Sequence, residues 1–367
     1  MNKLVVSNLV HRPIRSLISI VAVAVEVTLI LVIVGLSLGI LDDSKNRQEG
    51  IGADVMVQPP GASMLGLMSS APVSIKIADK IRGLPHVTAV APVISQFSTS
   101  GRVEMINGID LRSFEQLGGP FRYLEGGPFQ KQDDVLVDDY FAESGNLHPG
   151  SKIEVLNHPF NISGVVEHGR GARKFLQLTT LQDLLGAEGK ASIFYVKADD
   201  PKNASLIADE IMHVPGMEQF TVHTMKDWLT MMTPDKVPGF NIFINVVIGV
   251  ALVIGFIVIF QAMYTAVMER TREIGILKSL GASKGYIVNV VLRETLVLAV
   301  VGIALGVVIS VLAQRGIHLR FPTIQPEMTL HWVRNAVLIA LAGAILGAIY
   351  PAFKAAQKDP IDALAYE

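Results

Sequence analysis

Between residues 268 and 286 the chain reads Met-Glu-Arg-Thr-Arg-Glu-Ile-Gly-Ile-Leu-Lys-Ser-Leu-Gly-Ala-Ser-Lys-Gly-Tyr, which sets Glu269, Arg270, Arg272, Glu273 and Lys278 among apolar side chains. Charges of both signs beside an apolar face are suited to recognition: ion pairs fix the register of a partner and the apolar side fills its groove. As a helix over 269–280, the segment gathers Ile274, Ile276, Leu277 and Leu280 on one broad side and leaves the charges elsewhere. Gly281 supplies the left-handed position that stops such a helix, and Ser283 or a neighbour can cap the next one. The other group with chemistry to offer is Glu26, a lone carboxyl near the middle of a long apolar run. An ionised acid there costs about 2.5–3.5 kcal/mol on insertion scales. It reads either as a contact for substrate, a coupling proton or a polar network across a dimer, or as a neutral acid hydrogen-bonded to a neighbouring helix.

Other reaction types find little support. His148, His158 and His168 recur ten residues apart, a spacing that fits no local metal motif, and they read as scattered surface histidines. The chain has no cysteine, so thiolate chemistry and disulfides are excluded. No G-x-x-x-x-G-K-[ST] loop is present to cradle nucleotide phosphates. A formal net charge of −2 offers no basic field, and no nucleic-acid partner is expected.

The elements that must carry these groups are mostly apolar. Half of the 367 residues are hydrophobic, 17% are charged, and the mean hydropathy is +0.44, which points to a bilayer. A crossing helix needs roughly 20 apolar residues, and the sequence predicts spans at 17–41, 240–268, 285–313 and 335–352. The first exceeds a signal-peptide core and is read as a retained anchor. With residues 1–16 as a cytoplasmic amphipathic helix, Lys3, Arg12, Arg15, Arg270, Arg272, Lys278, Lys284, Lys354 and Lys358 all fall on one side. The short outer loop at 314–334 holds Arg315, Arg320 and Arg334, so the positive-inside rule places 269–284 and the tail 353–367 in the cytoplasm. The chain is therefore expected to be a multi-pass α-helical membrane protein with a large extracytoplasmic domain at 42–239.

That domain reads as α+β. Alternation and β-branched residues predict strands over 54–58, 87–93, 102–109, 134–137, 152–156, 160–166 and 192–197. Helices are expected over 75–82, 139–145, 178–185 and 204–213. After Pro59-Pro60-Gly61, the flexible apolar residues Met64, Leu65, Leu67 and Met68 are candidates for contact with a partner or substrate, or form a partly buried loop.

The segment Glu269 to Ser283 resembles the E-R-x-x-E-I-G-x-x-K-A-x-G-A signature of the MacB/FtsX superfamily of ABC transporter permeases, also called type VII, departing at Ser279 where alanine is usual. The resemblance extends to Arg12-Pro-Ile-Arg15-Ser-Leu, to Glu294 with Gly302 and Gly306, and to the ending that starts at Pro351. It continues through Asp134–Ala142, Pro149–Val155 and Ile162–Val166, which look like the family's periplasmic core domain.

The resemblance implies a non-catalytic, mechanotransmitting subunit in the bacterial inner membrane. Its coupling residues would be Glu269, Arg270, Glu273, Ile274, Gly275, Lys278, Leu280 and Gly281. Its partners would be a separate ABC-type ATPase subunit that binds ATP and Mg, a second permease copy in a homodimer or heterodimer, a periplasmic adaptor and the lipid bilayer. No cofactor is expected in this chain. The implied task is efflux of an amphiphilic, lipid-like or peptide substrate; the alternatives are lipoprotein extraction, as in the Lol branch, and an FtsX-like relay that activates a cell-wall hydrolase. Arg293 and Glu294 read as a snorkelling or packing pair, and Gly302 with Gly306 as a close-approach motif.

Overall fold

A computed structural model describes residues 13–61, 71–98 and 104–358. Met64, Leu65, Leu67 and Met68 lie outside the described residues, as do most of the amphipathic N-terminus and most of the tail. The chain forms two compact units, one comprising residues up to 39, 239–319 and from 326 onward, the other comprising 40–238 and 320–325.

The first unit is built on four helices long and apolar enough to cross a membrane. They are Pro13–Glu49, Phe240–Glu269, Lys284–Arg320 and Leu330–Gln357, the first passing into the second unit at residue 40. Their outward side chains, such as Val250, Val253, Ile257, Val300, Val308 and Leu338, are exposed, as suits helices solvated by lipid. Inside, small residues let backbones approach. The fourth helix buries Ala336, Ala340, Gly343, Ala344, Gly347, Ala348 and Ala352, and packs along the second. A Cβ on Gly347 would lie 2.9 Å from the Phe256 carbonyl oxygen, so only glycine fits that crossing. Gly302 and Gly306 of the third helix face the first: a Cβ would come within 2.7 Å of Val23 in one case and 2.8 Å of the Ala24 carbonyl oxygen in the other. The close-approach motif therefore serves an intrachain seam. Thr28 donates to the Gly306 carbonyl at 3.2 Å along the same seam.

The second unit folds around a mixed sheet. Its strands in chain order are β1 Val55–Gln58, β2 Val73–Ser74, β3 Val87–Ser98, β4 Glu104–Ile109, β5 Tyr123–Gly126 and β6 Asp134–Asp138. They continue with β7 Lys152–Val155, β8 His158–Val166, β9 Lys174–Gln177, β10 Lys190–Ala191, β11 Ile193–Ala198 and β12 Thr221–Thr224. The order is β12-β1-β11-β3-β4-β9-β6-β8-β5 with β7 added to β8, and β2 pairs with β10 apart from it. Two neighbours, β4 with β9 and β6 with β8, are parallel. The central strands are buried on both faces, with β1 and β6 buried at every position, which requires helices on each side. Ile77–Arg82 and Ala204–Met212 contribute to one core cluster with Phe194 and Val196, while Leu111–Gly118 brings Phe114 against Phe121 and Phe175.

All seven expected strands and four expected helices are present, with 102 and 103 outside the described residues and most ends within two residues. β3 runs on to Ser98 because it pairs with β4 as a long hairpin. Five short strands, β2, β5, β9, β10 and β12, and the helices Leu111–Gly118 and Met225–Met231 were not foreseen.

Candidate functional site

The second spanning helix ends at Glu269, and Arg270, with φ −105° and ψ 19°, breaks it before a short connecting helix, Thr271–Ser279. Glu269 thus closes a spanning helix rather than opening the connector as the sequence suggested. Thr271 makes the bend self-satisfying by donating to the Met268 carbonyl at 2.8 Å. Gly281, at φ +94°, stops the connector, and Ala282 N–H returns to the Leu277 carbonyl at 3.0 Å. Ser283 then caps the third spanning helix by accepting from Tyr286 N–H at 3.2 Å. Stop and cap both fall where the spacing of glycine and serine put them.

The single apolar side expected for the connector is divided. Ile274 and Gly275 are buried with Thr271, whereas Ile276 is 44% and Leu280 79% exposed. Ile276 stands two residues, about 200° of helix, from Ile274, which sends the pair to different faces. The outer face therefore presents Arg272, Glu273, Ile276, Ser279 and Leu280, with Glu269 and Gly281 also exposed.

Two of the charges point inward. Arg270 donates from Nη1 to Glu294 Oε2 at 3.1 Å, with both side chains nearly enclosed at 11% and 7% exposure. Glu294 accordingly pairs across to the bend and not with Arg293, which donates instead to Asn289 Oδ1 at 3.0 Å. Lys278 donates from Nζ to the carbonyls of Ala356, at 3.1 Å, and Lys358, and so satisfies the C-terminal end of the fourth helix. Of the eight candidates, Glu269, Glu273, Leu280 and Gly281 face outward, and Arg270, Ile274, Gly275 and Lys278 turn inward or partly inward.

Glu26 is buried at 3% exposure, and its Oε1 has no hydrogen-bond partner among the described residues. Its carboxyl occupies the space that a side chain on Gly255 would need, and a Cβ on Gly343 would lie 3.6 Å from Oε1. The acid is thus received by glycines of the second and fourth helices within one chain.

In the second unit, Arg173 collects charges that the sequence did not single out. It donates from Nη1 to Asp138 Oδ2 at 2.8 Å, and from Nη2 to Asp43 Oδ2 at 3.0 Å and to the Thr323 carbonyl at 2.8 Å. Arg47 reaches Asp43 at 3.1 Å, and Tyr140 lies under the Arg173 guanidinium at 5.5 Å. The cluster ties the end of the first helix, the end of β6, the start of β9 and residues 320–325 to each other. Burial pushes the Asp138 carboxyl up to about 6 against the pull of Arg173 and the Phe141 N–H. The three regularly spaced histidines are each paired with a carboxylate: His148 with Glu125, His158 with Asp133 and His168 with Asp139, all at 3.0 Å.

Residues 16–214 match the family model described as the MacB-like periplasmic core domain, and residues 245–360 match that of the FtsX-like permease C-terminal region. Along its whole length the chain is 24% identical to a macrolide export ATP-binding/permease protein, MacB, of Campylobacter jejuni, and covers 61% of it. It therefore spans about three fifths of that relative. It is also 24% identical to an uncharacterized ABC transporter permease, YknZ, of Bacillus subtilis, with 100% of this chain and 98% of that one aligned. A crystal structure of the periplasmic region of MacB from Actinobacillus actinomycetemcomitans overlaps 50% of this chain and 94% of its own, at 15% identity and a TM-score of 0.39.

Proposed function

Since the chain belongs to the MacB/FtsX-type family of ABC transporter permeases and is a membrane protein with an extracytoplasmic domain, we propose that it transmits work from an ATPase to that domain. The ATPase is a separate subunit that binds ATP and Mg, and it seats on the outward face of Thr271–Ser279 and the following turn. The observation that carries this reading is the exposure of Ile276 and Leu280 beside Arg272 and Glu273, within the segment that bears the family signature. An apolar pair flanked by charges, on a connector outside the spans, suits a helix received in a groove. Both termini then lie in the cytoplasm of a bacterium with the protein in its inner membrane. A second copy of the permease completes the unit and an adaptor engages the outer domain. The cargo is an amphiphile, a lipid-like molecule or a peptide; the macrolide export named for the Campylobacter relative supports the first.

The test is ATP hydrolysis by the ATPase with and without the permease in lipid nanodiscs. Glu273→Lys and Ile276→Glu are each expected to lower both association and stimulated hydrolysis at least tenfold. Tryptophan fluorescence should stay native, because both side chains point outward. Unchanged stimulation in both variants refutes the assignment of this face.

A further inference from the structure

The inward charges of the connector are not free to recognise a partner. We propose that Arg270 and Lys278 are positioning residues that fasten the connecting helix to the third and fourth spanning helices, so that a push on its outer face is passed to both. The proposal rests on the ATPase-docking reading above, but its geometry stands alone.

Arg270 sits at the bend, and its guanidinium reaches Glu294, ten residues into the third helix. Lys278 lies near the other end of the connector and holds the terminal carbonyls of the fourth helix. The two ties are thus at opposite ends of a nine-residue helix and lead to different spans. Apolar packing under the bend is incomplete: a cavity of about 70 Å³ remains among Met263, Val267, Ile274, Tyr286 and Ile287, with Arg270 and Glu294 on its wall. Beside such a void, van der Waals contact alone holds a short helix poorly, whereas an enclosed ion pair has one geometry in which both charges are satisfied. Removing Arg270 leaves Glu294 buried without its ion-pair partner, and removing Glu294 takes away the anchor on the third helix. Tyr286 lines the same cavity and Glu273 its rim, which makes the pair adjacent to the docking face without being part of it.

The absence of native cysteine permits clean spin labelling of the full chain in nanodiscs through Ser279→Cys and Leu312→Cys, both exposed. Distances between the labels are expected to be narrowly distributed in the native background. They should broaden at least twofold with Arg270→Met, Glu294→Gln or Lys278→Met, and narrow again with the exchanged pair Arg270→Glu with Glu294→Arg. In the ATPase assay the single variants should bind the ATPase within twofold of native yet lose at least tenfold in stimulated hydrolysis, with recovery in the exchanged pair. Arg270→Lys, which keeps the charge and loses the fork, should fall between. If the single variants lose ATPase binding while label distances stay narrow, Arg270 and Lys278 are partner contacts and the proposal falls. It also falls if stimulation survives loss of both ties. Failure of the native permease to bind any ATPase would instead defeat the docking reading, and the label distances would still decide whether the ties exist.

Discussion

Replacing Arg173 by methionine keeps most of the side-chain volume and removes the charge that holds two carboxylates. Asp43 retains Arg47 at 3.1 Å, but Asp138, with its side chain 1% exposed, keeps only the Phe141 N–H at 2.8 Å. The cost therefore falls on Asp138. Breaking a buried pair from one side costs about 3–5 kcal/mol, which for a domain of this size lowers the unfolding midpoint by roughly 6–20 °C. The sign of its pH dependence follows from the raised carboxyl. Already at about 6 in the native protein against about 3.9 when unfolded, it climbs further without the guanidinium. Such a group favours the folded state most below its unfolded value and loses that contribution as pH rises through the folded one. The variant should thus be weakest at neutral pH and regain stability on acidification. Trp228, buried in the outer unit, reports the transition in a Trp332→Phe background, with the full chain in detergent. Adding Asp138→Asn should recover much of the loss at neutral pH. A midpoint unchanged by Arg173→Met, or a deficit that grows as pH falls, would refute this account of the cluster.

Gly306→Val should cost about 1–3 kcal/mol by thermal unfolding, because its Cβ meets the Ala24 carbonyl at 2.8 Å and Val27 at 2.9 Å. Gly316→Ala, with nothing within 4 Å, should instead stabilise the same helix by up to about 1 kcal/mol. Asp199 raises the His86 imidazole through a 2.8 Å hydrogen bond and its charge, while its own carboxyl is lowered to about 2 by hydrogen bonds from Asn203 and His86. The support His86 gives the fold is therefore present below the ordinary histidine value and fades as pH rises through the raised one. An NMR titration should show the shift, and Asp199→Asn should return His86 to the ordinary range.

Long apolar runs and a charge asymmetry made the four helices readable, since the bilayer imposes one length and one composition. The outer strands that escaped notice are two to four residues long, too short for alternation to register, and β9 buries its Phe175 and Leu176 on opposite faces. The two missed helices did carry signals. Asp110 accepts from Ser113 N–H, and Thr224 accepts from Asp227 N–H as the N-cap of Met225–Met231. In the connector, the spacing of Gly281 and Ser283 placed the stop and the cap. Which charges face out was not legible, because Glu294 and the carbonyls of Ala356 and Lys358 come from elements far along the chain. Arg173 was hidden for the same reason: its acceptors lie 35, 130 and 150 residues away.

Two helix seams of the membrane unit are interlocked in the same way. Val23 and Val27 sit over Gly302 and Gly306 like teeth in sockets, so the first and third helices are keyed and cannot slip along their axes without lifting apart. Along the other seam, Gly347 of the fourth helix is met by Ile259 and the Phe256 carbonyl of the second, and the Phe260 and Tyr350 rings lie 5.7 Å apart, so this pair is keyed as well. The bundle thus contains two keyed pairs. The short connecting helix is pinned by Arg270 to a member of the first and by Lys278 to a member of the second, and any shear between them must strain or tilt it.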